Sequence, residues 1–189
     1  MQPFLISYVI PVATVVAVAF GFGGSEDMHV CQHSYALCTS ALCIPQPDDP
    51  AKAICFCVVK EGPSMATTSC DKLAPQIAAN GIRSVYSAFS LDQFNEGMKG
   101  MKCPDGTPWT WCLNKLCTVD PTDPQRAICV CDVMTKGEWM TLGGDCDTAT
   151  CATGYWSGAG TKDFEEGNAF MTKAMGLKQS PAKWCAVSP

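Results

Sequence analysis

The chain has 189 residues, 14 of them cysteine and only two of them histidine, and a formal net charge of −5. Its 13 cations are scattered, so no basic nucleic-acid footprint is expected. A reducing cytosol would leave the cysteines as thiols or metal ligands, but zinc modules pair C-x-x-C with a second such pair or with histidines, and this chain has no C-x-x-C and only two histidines. Disulfides formed in an oxidising compartment are the reading that remains.

In chain order, Phe4 to Phe22 comes first, an uncharged apolar run. As a helix it would be about 28 Å long, close to the ~30 Å hydrocarbon core, so it can span a bilayer. Ala17-Val18-Ala19 resembles a signal-peptidase site, which makes a cleaved leader the competing reading. No Lys or Arg precedes Lys52, however, so the basic region of a leader is missing. We expect residues 1–24 to be a transmembrane anchor, with residues 4–22 in the lipid bilayer. The topology that follows is an inner (cytoplasmic) membrane protein, N-terminus inside, body in the periplasm or other extracytoplasmic space. Pro11 and Thr14 inside the run are tolerated best where neighbouring helices satisfy the freed polar groups, which makes them candidate contacts to other subunits of a membrane protein complex.

Next come His29, Cys31 and His33, which would share one face of an extended segment. They are the one crowding of copper- or zinc-ligand types. Cys31 also fits the cysteine framework that follows, and its counterpart Cys103 has no histidine beside it. The favoured reading is a disulfide flanked by two histidines, with no metal and no cofactor.

The rest of the chain is duplicated. A shift of 74 residues places Cys38, Leu42, Cys43, Pro47, Asp49, Pro50, Ala53, Ile54, Cys55, Cys57 and Val59 on Cys112, Leu116, Cys117, Pro121, Asp123, Pro124, Ala127, Ile128, Cys129, Cys131 and Val133. The register slips by two where Cys70 meets Cys146. It drifts to 70 where Ser87, Phe94, Glu96, Gly97 and Met101 meet Ser157, Phe164, Glu166, Gly167 and Met171. This is a tandem repeat, residues 25–102 and 103–189, each copy small enough that a hydrophobic core alone is marginal. The cysteines divide into Cys31, Cys38, Cys43, Cys55, Cys57 and Cys70, then Cys103, Cys112, Cys117, Cys129, Cys131 and Cys146, then Cys151 and Cys185. All are expected to be oxidised, with the same connectivity in both copies and Cys151 joined to Cys185. Neither C-x-C pair can close on itself, because residues two apart on a strand lie about 7 Å apart.

Within each copy, Asp49-Pro50 and Asp123-Pro124 read as turns. Ile54 to Val59 and Ile128 to Val133 read as strands, cysteines on one face and apolar side chains on the other, and both faces of the first are expected to be buried. Phe94, Met98 and Met101 after Ser90, and Phe164, Met171 and Met175 after Thr161, predict two short amphipathic helices. The expected fold class is α+β, a small disulfide-rich tandem repeat with short strands and a terminal helix in each copy.

Catalytic groups are sparse. With two histidines beside the membrane there is little to activate a nucleophile, and the paired carboxylates Asp48-Asp49, Asp145 with Asp147, and Glu165-Glu166 fall in turns or on a solvated helix face. No enzyme is expected. Trp109, Trp111 and Trp156 are candidate interface residues, since tryptophan is enriched where proteins meet, although packing against the disulfides in the core is the favoured reading of the cluster.

Tyr35-Ala36-Leu37-Cys38, Cys43, Ala53-x-Cys55-x-Cys57, Gly62-Pro63-Ser64 and Val85-Tyr86-Ser87 resemble a loosely defined group of uncharacterised cysteine-rich exported bacterial proteins. The resemblance covers about residues 35–90 and, through the repeat, much of the second copy. It implies an envelope location and nothing about activity. Members of that group carry ordinary signal peptides, so the missing basic region is a departure that favours the anchor. The function expected is that of a non-catalytic, membrane-anchored accessory or structural subunit. The alternatives are a processed soluble periplasmic or secreted binding protein, and a metal-handling or thiol-redox protein using His29, Cys31 and His33 or a C-x-C pair.

Overall fold

The computed structural model describes residues 28–153 and 155–185. The anchor expected over residues 1–24, with Pro11 and Thr14, falls outside them. No helix among the described residues is long and apolar enough to cross a membrane.

Strand dominates, so the α+β expectation is corrected to a mostly β fold. The first copy supplies β1 (His29–Leu37), β2 (Leu42–Gln46), β3 (Asp49–Ala66), a 3-10 turn at Cys70–Leu73, β4 (Gln76–Ile77), β5 (Arg83–Ser90) and α1 (Leu91–Asn95). The second supplies β6 (Lys99–Cys103), β7 (Trp109–Trp111), β8 (Leu116–Val119), β9 (Arg126–Met134), β10 (Trp139–Thr141), a 3-10 turn at Gly144–Cys146, α2 (Thr150–Thr153), β11 (Tyr155–Trp156), β12 (Ala159–Gly160), α3 (Thr161–Ala174) and β13 (Lys183–Trp184). The reason for the correction is local. Ser90 caps α1 as expected, its hydroxyl accepting the Gln93 N–H at 3.1 Å, but Gly97 sits at φ +80° and ends the helix after little more than a turn. Met101 then falls on β6. Only α3 runs to 14 residues, and its N-cap is Gly160 rather than Thr161, whose hydroxyl donates to the Glu138 carbonyl.

The second copy turns at Pro124-Gln125 as expected, but the first turns at Pro47-Asp48, and Asp49-Pro50 already opens β3. The Asp49 and Asp123 carboxylates accept the N–H groups of Ala51 and Gln125, two residues on.

The two copies are related by a local two-fold axis at the centre of the main sheet. There β3 pairs antiparallel with β9, and Cys55 faces Cys129, its own counterpart in the repeat. Ala53 faces Cys131 and Cys57 faces Ala127, so exchanging the copies reproduces the register, as in an isologous dimer. The copies also exchange strands. β5 of the first pairs with β8 of the second, Val85 opposite Cys117, and β11 of the second pairs with β2 of the first, Tyr155 opposite Cys43. Two closed circuits result. β3–β1–β5–β8–β9 returns to β3, and β9–β7, bridged to Ser157, continues through β11 and β2 to β3.

Buried Ser87 fastens one exchange seam. Its N–H donates to the Lys115 carbonyl at 2.8 Å, its hydroxyl accepts the Lys115 N–H at 2.8 Å, and that hydroxyl donates to the Cys112 carbonyl. Ser157 repeats the backbone part, donating to Ala41, the counterpart of Lys115. Ser87→Ala strands two buried backbone groups and is expected to cost about 1–3 kcal/mol in urea unfolding.

Candidate functional site

All fourteen cysteines are bonded and none is free. Cys38–Cys57 and Cys43–Cys55 are repeated as Cys112–Cys131 and Cys117–Cys129, with the same separations of 19 and 12 residues. The outer pairing departs from expectation. Cys103 bonds Cys151, Cys146 bonds Cys185, and no Cys151–Cys185 bond forms. The counterpart of Cys31–Cys70 is thus Cys103–Cys151, and loops of unequal length had disguised it.

The four inner bonds meet across the two-fold axis. Cys38 Sγ lies 3.4 Å from Cys129 Sγ, and the symmetric contact, Cys112 to Cys55, is also 3.4 Å. These are van der Waals contacts, because a disulfide sulfur carries no hydrogen. Two groups of three sulfurs result, Cys38, Cys57 and Cys129, and Cys43, Cys55 and Cys112, each within 4.8 Å. Bonded sulfur offers no thiolate, so these groups act as core: eight of the fourteen residues in this cluster are cysteine and the others are Ala or Val.

On β1, His29 and His33 flank Cys31 as the alternation predicts, but the Cys31 sulfur is held by Cys70. The His33 Nδ1 lies 3.1 Å from the Ser34 carbonyl.

The tryptophans separate. Trp109 is buried, stacks on Trp139 at 6.0 Å and meets Trp111 edge-on at 6.3 Å. Trp109 and Trp111 form part of a cleft of about 600 Å³ that Met28, Met134, Asp163 and Glu166 also line. Trp156 is half-buried against the same cluster.

The most unusual surface is one the alternation of β3 and β9 had marked but misassigned. Ala53, Cys55 and Cys57 point inward, yet Phe56 and Val58 face outward, so the expectation that both faces of this strand are buried is overturned. Leu42, Ile44, Phe56, Val58, Leu116, Ile128 and Val130 are each 45% to 52% exposed. They are contiguous: Ile44 lies opposite Ile54, Ile54 opposite Val130 and Phe56 opposite Ile128. The two-fold axis relates Leu42 to Leu116 and Phe56 to Val130. Sequence reasoning missed this face because periodicity separates two faces of a strand without saying what covers either.

Asp132 closes one edge of the face. Lys52 reaches it at 2.5 Å, and Lys115 reaches its other oxygen. Burial alone would raise the Asp132 carboxyl, but the two ammonium groups bonded to it hold it below the usual range. A depressed pKa contributes stability above the unfolded value near pH ~3.9 that is lost as pH falls through the folded value. Asp132→Asn is therefore expected to flatten the acid limb of a stability–pH curve below about pH 4. The effect should stay under about 1 kcal/mol, since the carboxylate is a third exposed and screened by water.

Compared with known proteins, the chain matches no family model, no curated protein and no solved structure.

Proposed function

We propose that this chain is a non-catalytic accessory or structural subunit of a membrane protein complex. It is anchored in the inner membrane by residues 4–22, N-terminus inside, with its disulfide-stabilised body in the periplasm. The observation that carries the reading is the exposed apolar face of β2, β3, β9 and β8, which spans both copies and gathers seven apolar side chains, each about half exposed, into one contiguous patch. Seven disulfides support the oxidising compartment. They also give the face a rigid backing, so that presenting it costs little ordering on binding. Trp111 and Trp156 sit beyond it as additional contact candidates.

The test is a blue-native gel of detergent-solubilised membranes. Phe56→Asp with Val130→Asp is expected to lower co-migration of the chain with a membrane complex about tenfold or more, while near-UV circular dichroism stays unchanged. Undiminished co-migration rejects the reading.

A further inference from the structure

We infer that the outer face of β2, β3, β9 and β8 seats a second copy of this chain, forming an isologous dimer. The inference rests on the reading above that this face is an interface, and it names the partner.

Three observations favour a second copy over an unrelated chain. The face is built around the internal two-fold axis, which pairs Leu42 with Leu116, Ile54 with Ile128 and Phe56 with Val130, while Thr118 and Asp132 stand where Ile44 and Val58 do in the first copy. A surface whose halves match one another can meet itself face to face with every contact made twice, which is the geometry of closed homodimers. Its size fits as well. Seven apolar residues on four adjacent strands, each about half exposed, make one contiguous patch of the several-hundred-Å² class that marks interaction surfaces. Charge points the same way. The centre carries no ionisable group, and at the edge Lys52, Lys115 and Asp132 are bonded to one another. With Arg126 paired to Asp123 beside Val58, and Lys52 and Lys115 sharing one Asp132, the rim carries about one net positive charge, so a chain of net charge −5 meets its own copy there without facing acidic groups against acidic groups. In the stacked pair the two sheets would lie about 10 Å apart with Phe56 and Ile128 interleaved, as inner faces do in a β-sandwich.

Sedimentation equilibrium of the purified full chain in a mild non-ionic detergent tests this. The expected result is a two-chain species. Phe56→Asp on one copy of the repeat and Leu116→Glu on the other, made separately, should each weaken dimerisation about tenfold or more. Intact mass must show seven disulfides retained in both variants, so that a failure to fold in one leaves the other to report. A monomer at about 100 μM overturns the inference. So does a dimer that neither substitution weakens, which would place the contact on the apolar N-terminal run. The broader reading fails separately. If the chain is monomeric while the same variants still lose co-migration with the membrane complex, the face is an interface for another subunit. If they lose neither, both readings fall.

Discussion

Replacing Cys43 and Cys55 together by alanine is expected to destabilise the protein by about 4–6 kcal/mol, more than the loop they close accounts for. Closing a 12-residue loop contributes about 3 kcal/mol in the chain-entropy model, and the 39-residue loop of Cys146–Cys185 about 4 kcal/mol. Loop closure alone therefore ranks the outer bond above the inner one. Packing reverses the order. Cys43 and Cys55 are buried, and Cys55 touches Cys112 across the two-fold axis. Truncation opens a cavity among Ala and Val side chains too small to fill it, which adds about 1–3 kcal/mol. Urea unfolding of the two alanine-pair variants under non-reducing conditions decides the question. A greater loss for Cys146 and Cys185 would mean that the inner sulfurs act as tethers only. Removing Cys117–Cys129 as well as Cys43–Cys55 is expected to abolish folding at 37 °C, because half of the sulfur at the centre of the molecule is then gone.

How far this fold could be read from the sequence follows from what a repeat does and does not encode. Self-similarity identified Cys55 with Cys129 and Ser87 with Ser157, and both equivalences hold in the structure. It could not say that Cys55 lies opposite Cys129, or that β5 crosses to the other copy. Equivalence under a shift is the same whether two copies sit side by side or exchange strands. The alternation of cysteine with Ile, Phe and Val gave β3 and β9 correctly, since a period of two is a property of the strand itself. It failed on exposure, which depends on whatever packs above the sheet.

The second expected helix, over Phe164 and Met171, is α3, but the first was misjudged for a different reason. Phe94, Met98 and Met101 keep helical spacing, but Gly97 takes a left-handed φ that a helix interior excludes, so a four-residue spacing was read across a chain reversal. The disulfide assignment failed where loop lengths diverge. Cys146 matches Cys70 in local sequence, being followed by Asp in both copies, yet Cys151 occupies its bonding role. The candidate surface was legible as a pattern and illegible as a surface. Trp109, chosen for its side-chain type, is a core residue here, whereas Phe56, placed by its spacing in the interior, is half exposed, as is its counterpart Val130.

Divergence between the copies also explains a glycine, and its replacement should have the second large effect. Gly158 lies on the exchange seam, its N–H donating to the Thr110 carbonyl at 3.0 Å. A Cβ there would stand 2.5 Å from the Met140 carbonyl oxygen and 2.9 Å from the Trp139 ring. Its counterpart in the first copy is Ala88, buried and tolerated. The ladders give the reason: Ser64 lies opposite Ser90 in the first copy, and Trp139 lies opposite Gly160 at the equivalent place in the second. Where the second copy gained an indole, it gave up a methyl group on the facing segment. Gly158→Ala is therefore expected to cost about 2–4 kcal/mol through overpacking against backbone that is hydrogen-bonded on both sides. Ala88→Gly should cost only about 1 kcal/mol, the ordinary price of added backbone freedom and a lost methyl. Trp139→Ser is damaging by itself, at about 3–5 kcal/mol, but in its background Gly158→Ala should cost at least about 1 kcal/mol less than in the parent. A double-mutant cycle by urea unfolding measures that coupling. Additive costs would mean that the Met140 carbonyl alone demands the glycine, and that Trp139 and Gly158 arose independently.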